Sequence, residues 1–273
     1  MNQVAALPPT INPISEAIAA MLGNTVHLIV THKGGAGKTP VAVAIGEFAI
    51  YHGMNPKGFT LDAGNASFAN FKSLDVEDAL IVRLMSGNEV IDESLMNDFT
   101  EKLFPLNRMC VIDVGSSGSC TTVRSYFKQY GLDGLLADDG KTVYVHTIVG
   151  GGSDYEETAI GAALNAQAFA DPRTRFVYWL NEFRGPVVSP NGAPFLETGL
   201  FCGLEDRHIG TVKLTKGTPS SEQHVVKAFA DSLSYSDRKR KGMERLQAVS
   251  VERFYGSIFK QLNQITWKEV QQS

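Results

Sequence analysis

The sequence predicts an α/β fold of the P-loop NTPase type, a mostly parallel central sheet with helices on both faces. Three observations carry this. Short apolar runs rich in Val, Ile, Phe and Tyr alternate with helical segments along the 273 residues. Those runs are apolar on consecutive residues, as in strands covered on both sides. A glycine-rich turn, HKGGAGKTP at 32–40, joins the first such run to the first long helix.

Taken in order, the first strand is expected over 26–31 and the first helix over 38–52, since VAVAIGEFAIYHG (41–53) reads as a helix. Further strands are expected over 57–61, 109–113, 142–149, 174–181 and 208–214. Helices are expected over 75–86, 91–103, 119–130, 153–169, 219–233 and 238–264. About seven strands in one domain fit this alternation. Residues 1–20 are expected to be a loosely ordered tail, with three prolines in the first 14, and residues 21–273 a single domain.

A glycine-rich turn between strand and helix is a phosphate cradle. Gly34, Gly35 and Gly37 allow backbone N–H groups to approach phosphate oxygens, with Ala36 between them. The following helix adds its positive N-terminal end. Lys38 supplies a mobile cation for the β- and γ-phosphates, and the Thr39 hydroxyl suits Mg²⁺. The ordinary P-loop has a further glycine where His32 stands. What opens the loop instead is a second lysine, Lys33. Two lysines at one phosphate site face a large charge, such as a triphosphate shared across a dimer interface.

In parallel sheets ligands gather at the carboxyl ends of the strands. Asp62 follows the second strand, Asp113 ends the third, and Asn181 ends the fifth. Asp113, followed two residues later by Gly115, can hold Mg²⁺ through a water. Asp62 can face the γ-phosphate and orient water. The Asn181 amide has a donor and an acceptor that match the N6/N7 edge of adenine.

KGGAGKT (33–39) resembles the deviant Walker A motif of the ParA/MinD group of ATPases. The resemblance implies that Lys33 crosses to the partner subunit's nucleotide while Lys38 binds its own. It implies ATP and Mg²⁺ as cofactors and a homodimer formed on ATP binding. The group often has a second Thr where Pro40 stands, so a hydroxyl contact to the α-phosphate is lost. Its D-x-D segment is matched only in part, by Thr60 and Asp62. DAGNASFANFKSL (62–74) and WLNEFRGPV (179–187) are similar to segments of the plasmid StbB/TraL/MobD proteins. That likeness spans about residues 26–187 and implies plasmid stability, positioning or conjugative transfer. A P-loop synthetase acting on a small carboxylate, of the dethiobiotin or cobyrinate kind, remains the alternative. Such an enzyme has no need of a crossing lysine. A module that binds ATP without hydrolysing it stays open too, because of Thr60 and Pro40.

Composition bounds the rest. Cys110, Cys120 and Cys202 have no metal spacing and fit a reducing cytoplasm. No run is long and apolar enough for a membrane span, and no signal peptide is expected. The C-terminal stretch places Val251, Phe254, Ile258, Leu262 and Ile265 at helical spacing, expected to dock on the domain's own core. The net charge is −4, and the one dense basic run is Arg238–Lys241. Four phosphate contacts give weak, salt-sensitive binding of DNA. Recruitment to plasmid DNA is therefore expected through a separate DNA-binding protein. Fluorescence anisotropy of the nucleotide-free protein with duplex DNA at physiological salt should show no sub-micromolar binding; tight, salt-resistant binding would contradict this.

Overall fold

The structure, a computed structural model, describes residues 13–61, 67–78, 93–115, 118–201, 205–239 and 243–267. Its seven strands are β1 (Thr25–Ile29), β2 (Lys57–Leu61), β3 (Asp75–Asp78), β4 (Cys110–Val114), β5 (Thr142–Gly150), β6 (Arg175–Asn181) and β7 (His208–Leu214). They form one sheet in the order β3-β2-β4-β1-β5-β6-β7. Every pairing is parallel. This is the α/β architecture expected from the sequence, a parallel sheet covered on both faces. The helices are α1 (Pro13–Leu22), α2 (Lys38–Tyr51), α3 (Glu93–Leu103), α4 (Gly118–Tyr130), α5 (Leu132–Asp138), α6 (Tyr155–Ala168), α7 (Pro219–Ala230) and α8 (Arg245–Leu262).

Two hydrophobic cores lie on the two faces of the sheet. One joins β1, β4, β5 and β6 to α3, α4 and α6. The other packs α2 and α8 on the opposite face. Helix α2 explains its unusual sequence there. Val41, Ala42, Val43, Ala44, Ile45, Phe48 and Ala49 are all buried, so a helix apolar on every side has no face to give to water. Truncating a buried phenylalanine such as Phe48 to alanine costs about 3–5 kcal/mol. In the α8 segment Val251, Ile258, Leu262 and Ile265 are buried in the second core, as the helical spacing predicts. Arg238, from the basic run, lies 3.7 Å over the Tyr235 ring and donates to the Tyr235 carbonyl. Residues 240–242 are outside the described set.

The sequence reading needs correction at Asp75–Asp78. A helix was expected to begin there, and the four residues instead pair with β2 as an edge strand. Their charge suits an edge. Asp75 is bound by Lys57 and Arg108, and Glu77 by Lys102 and Lys57. The free edge of β2 gains backbone partners, and three cations offset the carboxylates, outweighing the poor strand propensity of DVED. Residues 79–92, the rest of that expected helix, lie outside the described set. Helix α1 begins inside the stretch expected to be a tail, and α5 was not anticipated.

A buried chain of side chains crosses three strands. The Trp179 indole donates to His146 Nδ1 at 3.0 Å, His146 Nε2 meets His27 Nδ1 at 2.9 Å, and His27 Nε2 meets Thr25 Oγ1 at 3.0 Å. Thr25 Oγ1 donates to the Leu22 carbonyl at the end of α1. An indole N–H can only donate, so every link has one direction and both imidazoles are neutral. Burial lowers the His27 pKa well below its ordinary value, and holds that of His146 at about 3. Below the ordinary histidine pKa the unfolded chain therefore takes up protons that the folded chain refuses, and stability falls with pH. His146 alone should remove roughly 2 kcal/mol between pH 7.5 and pH 5. Urea midpoints across that range should fall in the parent, and fall less steeply in His146→Gln.

Candidate nucleotide-binding site

Strand β1 delivers the loop at the carboxyl edge of the sheet, between β4 and β5. Thr31 fixes its root, because Ile148 N donates to Thr31 Oγ1 at 3.0 Å. Gly35 and Gly37 have φ of 69° and 102°, in the left-handed region that side chains avoid. Gly37 precedes α2, and a Cβ there would also lie 3.4 Å from Asn181 Nδ2. A glycine-rich turn of this kind, beside a helix N-terminus, suits the binding of an anion by backbone N–H groups. Pro40 is the third residue of α2, where no backbone hydrogen bond is missed.

The two lysines part company. Lys38 is buried, and its ammonium folds over the loop to the Lys33 carbonyl at 3.2 Å. Lys33 turns outward to Glu157 Oε2 at 2.5 Å and Asp154 Oδ1 at 3.6 Å. The hydrogen bond to Glu157 raises the Lys33 pKa above its ordinary value, so the cation is retained. Arg184 holds Asp154 from its other side at 3.0 Å. That cage depends on a close crossing of two loops. A Cβ on Gly151 would meet the Gly185 carbonyl oxygen at 1.9 Å, so only glycine lets the two backbones pass.

Thr39 and Asp113 come together as the sequence predicts. Thr39 Oγ1 donates to Asp113 Oδ2 at 2.7 Å and lies 3.3 Å from Ser67 Oγ. Asp113 sits on the same rung as Ile29 of β1 and Thr60 of β2, buried at the sheet edge. A hydroxyl and a carboxylate beside an anion cradle are hard oxygen donors, and they fit Mg²⁺ with a nucleotide polyphosphate. Thr60 Oγ1 is buried with no hydrogen-bond partner among the described residues.

Asn181 braces the loop. Its amide donates to the Ala36 carbonyl at 3.0 Å and accepts from Phe183 N at 3.1 Å. Both faces expected for base reading are thus used within the chain. Leu214, its register partner, lines a cavity of about 280 Å³ together with Phe183, Lys213, Thr215 and Thr218. Asp62 lies outside the described residues. Cys110 and Cys120 are buried, and burial pushes the Cys110 thiol up to about 11, so neither is a ready nucleophile.

Lys33, Gly34, Gly35, Ala36, Gly37, Lys38, Thr39, Pro40, Asp113 and Asn181 therefore share one edge of the sheet. Sequence reasoning missed Asp154, Glu157, Arg184 and Ser67. The visible signal for the first two was the Gly150-Gly151-Gly152 run, a tight passage just before them.

No protein-family model matches the chain. Two Escherichia coli proteins, each called Protein TraL, are 30% identical to it over 162 residues, 59% of this chain and 65% of theirs. Over that stretch the chain is similar to the TraL proteins. It spans less than two thirds of the length of these TraL relatives. Among solved structures, the Aquifex aeolicus MinD cell division protein matches with a TM-score of 0.46 and 14% identity over 85% of this chain and 97% of that one. The Pyrococcus furiosus cell division ATPase MinD matches with a TM-score of 0.45 and 13% identity over 88% of this chain and 98% of that one.

Lys38→Ala removes the one buried ammonium over the loop. ATP affinity measured by calorimetry should fall about tenfold to hundredfold, as for lost hydrogen bonds to a charged group. Unchanged affinity would show that the loop does not hold phosphate.

Proposed function

We propose that the protein is an ATP-binding and hydrolysing switch that forms a homodimer when ATP is bound. The observation that carries this reading is the separation of the two lysines around one phosphate cradle. Lys38 stays over its own loop, while Lys33 is held outward at the surface by Glu157 and Asp154. A cation so placed can be exchanged to the nucleotide of a second subunit. The ion pair that holds it is open to water, and such pairs are weak.

In this reading Gly34, Gly35, Ala36 and Gly37 bind the phosphates through their backbone, with Lys38 balancing the β/γ charge. Thr39, and Asp113 through a water, would hold Mg²⁺; the ion would neutralise charge that develops on the transferred phosphoryl group. Asp62, which follows β2 in the chain, orients the attacking water. Asn181 keeps the loop in shape and borders the base. Likeness to the StbB/TraL/MobD proteins supports a cytoplasmic role in plasmid stability, positioning or conjugative transfer, with a separate DNA-binding protein as partner.

Sedimentation with and without ATP tests the switch. The parent should become dimeric with ATP, and Lys33→Ala should bind ATP as a monomer while dimerising at least about tenfold more weakly. An identical ATP-dependent dimer in both proteins would remove the crossing role from Lys33. Asp62→Ala should bind ATP and accumulate as dimer, because turnover is what dissolves it. Phosphate release at the parent rate by this variant would leave Asp62 without a role in hydrolysis.

A further inference from the structure

A second cavity, of about 410 Å³, opens between α4 and α6 on the far side of the Lys33 cage. Its floor holds Arg124, which is more than nine-tenths buried. The guanidinium is fixed by neutral acceptors, with Nε donating to Asn165 Oδ1 at 2.6 Å and Nη2 to the Gly161 carbonyl at 3.1 Å. Among the described residues no carboxylate lies within ion-pair distance of it. A buried cation without a counter-charge is costly. Its pKa is lowered by burial, in keeping with that cost.

The remaining N–H groups of a guanidinium pinned in this way form a fork that matches a carboxylate. The other charged lining groups are Lys128 and Glu157, and the Glu157 charge is already taken up by Lys33. His32 and Ser125 add polar edges. Above the floor the lip is apolar. Ile160 and Leu164, one turn apart on α6, are 47% and 43% exposed. The volume suits a small molecule rather than a water cluster.

We propose that this cavity is a binding site for a small monocarboxylate with an apolar tail, its carboxylate on Arg124 and Lys128 and its tail along Ile160 and Leu164. The site goes beyond the nucleotide switch and needs no nucleotide to form. It is nonetheless wired to the loop. Asn165, which holds Arg124, donates to the Val30 carbonyl at 2.9 Å, just before the loop, and Glu157 lines the cavity while holding Lys33.

Isotope-labelled, nucleotide-free protein titrated with octanoate, butanoate, octylamine and inorganic phosphate, with chemical shifts read at Gly161 and Gln167, tests the site. Octanoate should give saturable shifts and bind more than tenfold tighter than butanoate, since each buried methylene adds up to about fourfold. Octylamine should not bind. Arg124→Lys, which keeps the charge and loses the fork, and the surface variant Lys128→Ala should each weaken octanoate roughly tenfold. Leu164→Ser should erase most of the octanoate–butanoate difference. No saturable octanoate shift, equal binding of octylamine, or variants that bind octanoate as the parent does would each overturn the proposal. So would phosphate displacing octanoate with no dependence on chain length, which marks a bare anion site. None of these readouts uses ATP, so failure here is distinct from failure of the switch.

Discussion

Two ammonium groups in one short loop cannot share a location without an anion to hold them, and much of the architecture around the site follows from keeping Lys33 and Lys38 apart. Lys38 is drawn inward onto a backbone carbonyl of its own loop, and Lys33 is drawn outward to two carboxylates at the start of α6. The second arrangement needs α6 to begin where it does. That in turn needs Gly151 to slip past Gly185, and Arg184 to share Asp154. A local charge conflict is thus resolved by a contact between residues more than a hundred positions apart.

The all-parallel sheet supplies the rigidity that such an arrangement requires. β1 is central, buried on both faces and paired on both edges, so its carboxyl end is fixed on every side. The loop is braced again from β6 through the Asn181 amide and from β4 through Asp113 and Thr39. Three strands therefore converge on nine residues of loop. The neutral His27–His146–Trp179 chain lies deeper in the sheet. It locks β1, β5 and β6 in register with directional hydrogen bonds that apolar packing alone does not specify.

The face between α4 and α6 differs in kind from the nucleotide edge. There the groups that hold the one buried guanidinium are neutral acceptors, with apolar residues left in water at the rim. Its link to the loop passes through Asn165, which touches Arg124, the Val30 carbonyl and Thr147 at once. A single side chain thus joins a helix, the root of the loop and a neighbouring strand.

The sequence by itself determined the fold class, six of the seven strands (all but β3), and the place of the glycine-rich loop between β1 and α2. It could do so because those features are written locally: apolar strands have a composition, the all-apolar α2 has a pattern, and glycines beside lysine mark a cradle. Thr39 was legible from the loop motif, and the positions of Asp113 and Asn181 from the rule that parallel sheets place ligands at strand ends; that the Asn181 amide braces the loop was not. The tertiary structure alone decided that DVED forms an edge strand, since its ion pairs come from Lys57, Lys102 and Arg108 on other elements. It alone decided that Glu157 and Asp154 hold Lys33 and that Arg124 is buried with no carboxylate beside it among the described residues. Pairings between charges distant in the chain leave no periodicity in the sequence, because what fixes them is the packing of whole elements.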